Sequence, residues 1–288
     1  MCELLGMECN VPTDINFSFK ALALRGGHVG PHSDGWGLAL YDGPTARLYR
    51  EPTPACNSAL AAHLSETSIP TLLAVAHVRR KTRGQATMAN THPFDRTLWG
   101  RHFVFAHNGT LPRVRRRRLR HFSTLGETDS EHAFCWILDH LVEMFGDRYP
   151  DDRLADLFSL VADVSGQLGA EGTFNFLLAD GKHLFARCGT KLSYIIRRAP
   201  FGRATLRDAD VQIDFSALTG TKDRVAVVAT EPLTSDEVWQ AGKPGTLWVF
   251  DDGDLVQTLA SHDPDGRPEY VPRRRRGPGV VGGRFRPG

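Results

Sequence analysis

The sequence lacks the features that mark membrane and secreted proteins. It contains no run of about eighteen apolar residues, and so it offers no candidate transmembrane helix. The first residues, Met1 to Gly6, carry neither a basic segment nor a long apolar stretch, which argues against a secretory signal peptide. We therefore expect a cytoplasmic protein that does not associate with membranes.

Motifs for disulfide scaffolds and metal sites are also absent. The cysteines are Cys2, Cys9, Cys56, Cys135 and Cys188, an odd number at unrelated spacings with no C-x-x-C pair. The twelve histidines include no H-E-x-x-H motif. We expect reduced thiols, no metal and no cofactor. Only Cys2 has a position in the chain that calls for a chemical explanation.

The pattern of predicted elements favours an α+β fold. With 288 residues, of which 41% are hydrophobic and 24% charged, the chain can bury a sizeable core. Helical periodicity predicts two adjacent helices, at 130–145 and 153–168. Strands are predicted at 2–8, 38–41, 46–49, 71–78, 102–106, 173–179, 183–187, 192–197, 211–215, 224–230 and 246–251. Strands, then helices, then strands again predict mostly antiparallel sheets with helices outside them. Residues 1–270 are expected to form one domain, followed by a basic tail at 271–288.

Positive charge is concentrated in two arginine-rich runs. Residues 113–120 contain six arginines and residues 271–288 contain six more, and neither run contains an acid. The formal net charge of +2 less these twelve charges leaves −10 for the rest of the chain. Such runs can attract nucleic acid or an acidic partner. A solvated loop and a disordered tail are the commoner explanation, which we favour, so we do not expect nucleic acid as a partner.

Cys2 combines a nucleophile with a proton acceptor if Met1 is removed. The free α-amine would have a pKa of about 7.7–8.0 and could take the proton from its own thiol. Taken alone, a cysteine at this position is more often a buried or incidental thiol.

Acyl transfer also needs donors for a developing oxyanion. Asn108 and Gly109 follow an apolar strand and offer a side-chain amide beside a backbone N–H. The alternative is a plain Asn-Gly turn, which is common in hairpins.

Two further charged residues could hold an amino-acid substrate by its α-carboxylate and α-ammonium. Arg79 follows the strand ending Ala76-His77-Val78 and is suited to bidentate capture of a carboxylate. Asp129 lies at the start of the 130–145 helix and could bind an ammonium. The alternatives are a surface arginine and a helix cap within the T-x-x-E capping box of residues 128–131.

Taken together, these motifs resemble the class II (N-terminal-nucleophile, Ntn-type) glutamine amidotransferases, in particular their stand-alone YafJ-like branch. The resembling segments are 1–7 (MCELLGM), 24–27 (LRGG), 34–37 (DGWG), 76–79 (AHVR), 90–94 (NTHPF), 105–109 (FAHNG) and 126–131 (GETDSE). They occur in the family's order, and the likeness extends to about residue 255. It departs from the large amidotransferases after Arg79, and the 113–120 run is more basic than is typical of this branch.

The resemblance implies a four-layer αββα Ntn-hydrolase sandwich and assigns roles by position. Cys2 would be the nucleophile and its amine the base. Asn108 and Gly109 would form the oxyanion hole. Arg79 would bind the substrate's carboxylate and Asp129 its ammonium. Arg25, Gly26 and Gly27 would line the pocket near Cys2, and Asp34, Trp36 and His92 would shape it. The implied reaction is hydrolysis of the glutamine side-chain amide through a γ-glutamyl thioester.

Three alternatives for the function remain open at this point. The substrate is either glutamine or a small γ-glutamyl peptide or conjugate, because only the leaving group differs. Any acceptor of the released ammonia would be a separate protein, since the amidohydrolase-like region fills most of the chain. The third alternative is a non-enzymatic scaffold that binds RNA or an acidic partner through its arginines.

Overall fold

The computed structural model describes residues 2–80, 85–216 and 220–261. The α-helices of these residues are α1 (Asn16–Arg25), α2 (Ala59–Glu66), α3 (Asp129–Phe145) and α4 (Leu154–Gly169). Short 3-10 helices lie at Ala55–Asn57, Met88–Asn90 and Val114–Arg116. The strands are β1 (Glu3–Thr13), β2 (Trp36–Asp42), β3 (Thr45–Glu51), β4 (Thr71–Val78), β5 (Phe94–Leu98), β6 (Arg101–Thr110), β7 (Thr173–Ala179), β8 (Leu184–Cys188), β9 (Ser193–Arg198), β10 (Arg203–Thr205), β11 (Gln212–Asp214), β12 (Arg224–Ala229), β13 (Gln240–Ala241), β14 (Thr246–Asp251) and β15 (Asp254–Ala260).

Two large antiparallel sheets form the centre of the fold. The first has the strand order β13-β9-β12-β1-β4-β2-β3, and the second has the order β15-β14-β8-β7-β6-β5. Strands β10 and β11 form a separate two-stranded ribbon. The first strand of the chain, β1, therefore lies in the interior of its sheet, between β12 and β4.

Alternation along the strands creates three hydrophobic layers. On β1, Leu5 and Met7 pack with α1 and α2 on the outer face of the first sheet, whereas Leu4 points between the sheets. On β6, Phe105 packs with α3 and α4 on the outer face of the second sheet, whereas Ala106 points between the sheets. The inter-sheet layer uses many small side chains, which lets the two sheets pack closely. The architecture is thus the four-layer αββα sandwich expected from the sequence.

Helix α3 begins where the sequence predicts, but its capping arrangement differs from the predicted box. The Thr128 hydroxyl accepts a hydrogen bond from the Glu131 N–H at 3.1 Å, as an N-cap residue should. The Glu131 carboxylate instead accepts from the N–H groups of Leu125 and Gly126 and pairs with Arg96 at 2.6 Å. It therefore stabilises the preceding loop rather than closing the box.

The basic tail at 271–288 lies outside the described residues, so its expected disorder stays a prediction. No helix in the part of the chain that the structure describes is long and apolar enough to cross a membrane. Within the same residues, no group of three or more His, Cys, Asp and Glu side chains is arranged to hold a metal ion.

Candidate active site

Antiparallel pairing brings the start of β1 against the end of β4. Glu3 pairs with Val78, so Cys2 lies beside the residues that follow β4. The Cys2 thiol is 3.4 Å from the Arg80 carbonyl oxygen, and the Arg80 N–H donates to Cys2 Sγ at 3.3 Å. Two segments 78 residues apart in sequence thus define the position of the sulfur.

The second sheet contributes Asn108 from the end of β6. Asn108 is fully buried, and its Nδ2 donates to the Cys2 carbonyl oxygen at 2.5 Å. An amide nitrogen carries two hydrogens, so one donor remains for a substrate oxygen. Asn175 on β7 donates to the Asn108 carbonyl oxygen at 3.0 Å and holds the strand from the other side. The hydrogen bond from Asn108 to the Cys2 carbonyl oxygen thus links the two sheets at the site.

Gly109 has to be glycine because the neighbouring strand passes too close for a side chain. A Cβ atom at this position would lie 1.8 Å from the Thr173 carbonyl oxygen and 2.6 Å from His107 Nε2. Gly109 pairs with Phe174 on β7, so the close approach is part of the sheet itself.

The surroundings of Cys2 favour a neutral thiol. Burial raises the pKa of Cys2, while the Arg80 N–H and the positive charge of Arg79 act in the opposite direction. Part of the residue remains exposed to solvent. A thiol in such a place needs a neighbouring base before it can attack a carbonyl carbon.

Arg79 lies next to this sulfur and is itself largely buried. Its backbone N–H donates to the Gly35 carbonyl oxygen at 2.7 Å, and its guanidinium donates to the Gln85 carbonyl oxygen at 3.1 Å. Burial lowers the pKa of Arg79, and the neighbouring Cys2 and Asp34 act against this shift. The guanidinium is therefore fixed in place near the thiol, as capture of a carboxylate requires.

Asp129 is the first residue of α3, and backbone groups hold its carboxylate. Its Oδ2 accepts from the Leu111 N–H at 2.6 Å, and its Oδ1 accepts from the Ser130 N–H at 3.0 Å. Each carboxylate oxygen can accept a second hydrogen bond, so both remain able to bind an ammonium group. Leu111 is three residues after Asn108, so Asp129 lies at the same end of β6 as Asn108.

The structure gives the guanidinium of Arg25 a set of protein partners. Arg25 pairs with Asp208 at 2.5 Å and with Glu3 at 3.4 Å, and it donates to the carbonyl oxygens of Glu231 and Pro232. Through Arg25, Glu3 is thus linked to Glu231 and Pro232, which follow β12. The predicted contact between Arg25 and substrate stays a prediction.

Gly26 and Gly27 lie against the 3-10 helix at Ala55–Asn57. A Cβ on Gly26 would be 2.6 Å from the Ala55 Cβ, and Gly27 has a φ of 111°, which favours glycine. The role of these two glycines in the pocket stays a prediction as well.

Two of the predicted pocket-shaping residues are buried in the protein. Trp36 donates through Nε1 to Glu51 Oε2 at 3.2 Å. The ring of His92 packs on that of His77, with centroids 4.3 Å apart. Burial lowers the pKa of both histidines, that of His77 to about 3. His77, which directly precedes the Val78-Arg79 pair, was not among the residues expected at the site.

Part of the arginine run at 113–120 serves the fold. Arg117 lies 4.0 Å above the Trp136 ring and pairs with Glu171 at 2.7 Å, and Arg120 pairs with Glu143. Arg113, Arg116 and Arg118 are exposed. Their side chains contribute to no hydrogen bond or ion pair among the described residues. The run is thus an anchored loop with a solvated outer surface, whereas the sequence favoured a solvated loop without such anchoring contacts.

With this geometry in place, comparison with known proteins identifies the family. The sequence model of the class II glutamine amidotransferases matches residues 1–272. The chain belongs to this family.

The relatives within the family cover most of the chain. The YafJ protein of Escherichia coli strain K12 is 47% identical over 258 residues, which are 89% of this chain and all of that protein. The crystal structure of a protein from Pseudomonas aeruginosa described as a predicted glutamine amidotransferase is 37% identical with a TM-score of 0.70, covering 89% of this chain and all of that one.

A more distant neighbour extends the likeness in fold alone. It is the glutamine phosphoribosylpyrophosphate amidotransferase of B. subtilis, with 16% identity and a TM-score of 0.56. The match covers 90% of this chain and 49% of that one. Such a likeness carries no residue roles.

Proposed function

We propose that this chain, after removal of Met1, hydrolyses the side-chain amide of glutamine with Cys2 as nucleophile. The observation that carries the proposal is the contact between the Cys2 carbonyl oxygen and Asn108 Nδ2, with Arg79 and Arg80 beside the sulfur. A nucleophile, a spare amide donor and a cation thus converge at one end of the sandwich.

The proposed reaction proceeds in two steps. The Cys2 amine takes the thiol proton, and the sulfur adds to the δ-carbonyl carbon of the substrate. Asn108 Nδ2 and the Gly109 N–H donate to the resulting oxyanion, as such donors do in acyl transfer. The amine then protonates the departing nitrogen, which leaves as ammonia. Water cleaves the γ-glutamyl thioester and regenerates the thiol.

Substrate binding would use the two charged groups at the edge of the site. Arg79 would pair with the α-carboxylate and Asp129 with the α-ammonium, while Arg25, Gly26 and Gly27 would form the wall near Cys2. The raised pKa of the buried thiol supports the need for the amine as a base.

We assign residues 1–270 to this one domain, which agrees with the range of the family match. Any ammonia acceptor would be a separate protein.

The test is mass spectrometry after exposure to 6-diazo-5-oxo-norleucine, a glutamine-like electrophile. We expect a chain that lacks Met1 and carries one label on Cys2, whereas the exposed Cys56 stays unmodified. Cys2→Ser should abolish labelling, and Cys56→Ala should leave it unchanged. Label on Cys56, or full activity in a chain that retains Met1, would contradict the mechanism.

Steady-state assays then decide the leaving group. Ammonia release from glutamine is compared with amine release from γ-glutamyl dipeptides at equal enzyme concentration. A larger kcat/KM for the dipeptides would make the protein a γ-glutamyl hydrolase that uses the same residues. Turnover of neither class would remove the enzymatic proposal.

A further inference from the structure

His107 directly precedes Asn108, and the proposed reaction gives it no task. Because side chains alternate along a strand, Asn108 points between the sheets while His107 points into the layer of α3 and α4. Its ring is fully enclosed there and packs against Phe105 and Phe174. Most polar atoms buried in such a layer are hydrogen-bonded, and so the partners of both ring nitrogens matter.

The structure supplies both partners. His107 Nε2 is 3.1 Å from the Thr173 carbonyl oxygen, and Nδ1 is 2.8 Å from Ser130 Oγ. A carbonyl oxygen can only accept, so Nε2 carries the hydrogen. In the neutral ring Nδ1 then accepts, and the Ser130 hydroxyl is the donor. Burial lowers the pKa of His107, which agrees with a neutral ring.

Ser130 also contacts the residue that the proposed function assigns to the substrate ammonium. Its backbone N–H donates to Asp129 Oδ1 at 3.0 Å. One side chain of β6 thus connects the first turn of α3 with the strand that carries Asn108. The connection runs from Asp129 through Ser130 and His107 to Asn108, and the partner of each step is a chain neighbour or a hydrogen-bonded atom.

We propose that His107 and Ser130 are positioning residues whose hydrogen bond, together with the one from the Leu111 N–H to Asp129, fixes the distance between Asp129 and Asn108. A substrate held by its ammonium at Asp129 then presents its δ-carbonyl oxygen to the donor on Asn108. Small displacements of a reacting group lower rates strongly, so a fixed distance matters for turnover. This inference rests on the proposed function and deepens it.

The test is Ser130→Ala assayed with two substrates, glutamine and glutaramate, the analogue that lacks the α-ammonium. We expect kcat/KM for glutamine to fall about tenfold, which is the effect of losing about 1.4 kcal/mol, as a buried hydrogen bond contributes. The value for glutaramate should change less than about twofold, because that substrate does not use Asp129. Ser130→Thr keeps the hydroxyl and should restore the wild-type ratio.

Ser165→Ala is the matched control, because it removes another fully buried hydroxyl, on α4. It should leave the ratio of the two substrates unchanged. An equal loss for both substrates in Ser130→Ala would show general damage, and no loss at all would also overturn the inference.

A histidine spectrum separates this inference from the proposed function. In long-range ¹H–¹⁵N spectra, with His107 assigned through His107→Gln, we expect the Nε2–H tautomer and a shift of Nδ1 in Ser130→Ala. A hydrogen on Nδ1, or an unmoved Nδ1 signal, would contradict the inference even in an active enzyme. If the wild type turns over neither substrate, the proposed function has failed, and the spectrum still decides whether the His107–Ser130 bond exists.

Discussion

Replacing His77 with leucine should make the folded protein less sensitive to acid. His77 lies at the end of β4 with its ring fully buried, and neither ring nitrogen has a hydrogen-bond partner among the described residues. Burial lowers its pKa to about 3, whereas an exposed histidine in the unfolded chain titrates near about 6.5. Folding therefore requires the neutral ring.

The sign and size of the effect follow from this difference in pKa. Below pH about 6.5 His77 binds a proton in the unfolded chain but stays neutral in the folded protein, so the free energy of unfolding falls with falling pH. The slope is about 1.4 kcal/mol per pH unit between about 6.5 and about 3. At pH 5.0 the loss from His77 alone is about 2 kcal/mol. His92, whose pKa burial also lowers, acts in the same direction.

Urea unfolding at pH 7.5 and pH 5.0 measures this loss in each variant. The drop in the free energy of unfolding should be about 2 kcal/mol smaller in His77→Leu than in the wild type. Burial raises the pKa of Glu3 to about 7, so protonation of Glu3 increases the free energy of unfolding as the pH falls. This increase is the same in both proteins. His28→Leu, at an exposed histidine, should keep the wild-type drop. Equal drops in wild type and His77→Leu would refute the reasoning.

Three further changes test other parts of the structure. Asn108→Ala should lower kcat for glutamine by about two to three orders of magnitude, measured as ammonia release, with far-UV circular dichroism unchanged. Gly109→Ala should separate β6 from β7, since its Cβ would lie 1.8 Å from the Thr173 carbonyl oxygen; a thermal melt that matches the wild type would argue against this geometry. Arg187→Met should lower the free energy of unfolding by at least about 2 kcal/mol, because the carbonyl oxygens of Phe174 and Ser261 lose a buried donor; chemical denaturation measures the loss.

Elements with a long periodic signal could be predicted from the sequence. Strands β4 and β7 have the predicted bounds, and α3 and α4 lie within one residue of them. Strand β15 was missed, although Asp252 and Gly253 form the positive-φ turn that an Asp-Gly pair favours. Its alternating sequence is mostly exposed and gives little hydrophobic signal. Strand β5 was not among the predicted strands, and of its five residues only Phe94 is fully buried.

The contacts between residues of the site could not be predicted, because they depend on distances that a sequence does not contain. Arg79 and Asn108 stood out because each follows an apolar strand, and Cys2 stood out because removal of Met1 would give it a free amine. One partner of Arg25, by contrast, is Asp208, which is 183 residues away in a segment with no recognisable motif. The bond between His107 and Ser130 was missed because both residues already belonged to motifs explained by their neighbours. An Asn-Gly motif preceded by histidine could have prompted the question of what the ring contacts.

The interior position of β1 has a practical consequence for anyone who handles this protein. Chain ends usually fray, but here the Leu4 N–H donates to Thr230 Oγ1 at 2.9 Å and the Thr230 N–H donates to the Leu4 carbonyl oxygen at 3.1 Å. Because β1 also pairs with β4 on its other side, its opening residues are held on both sides, and their amides should exchange slowly with deuterium. Since the proposed function needs a free amine on Cys2, purification handles belong at the carboxyl end.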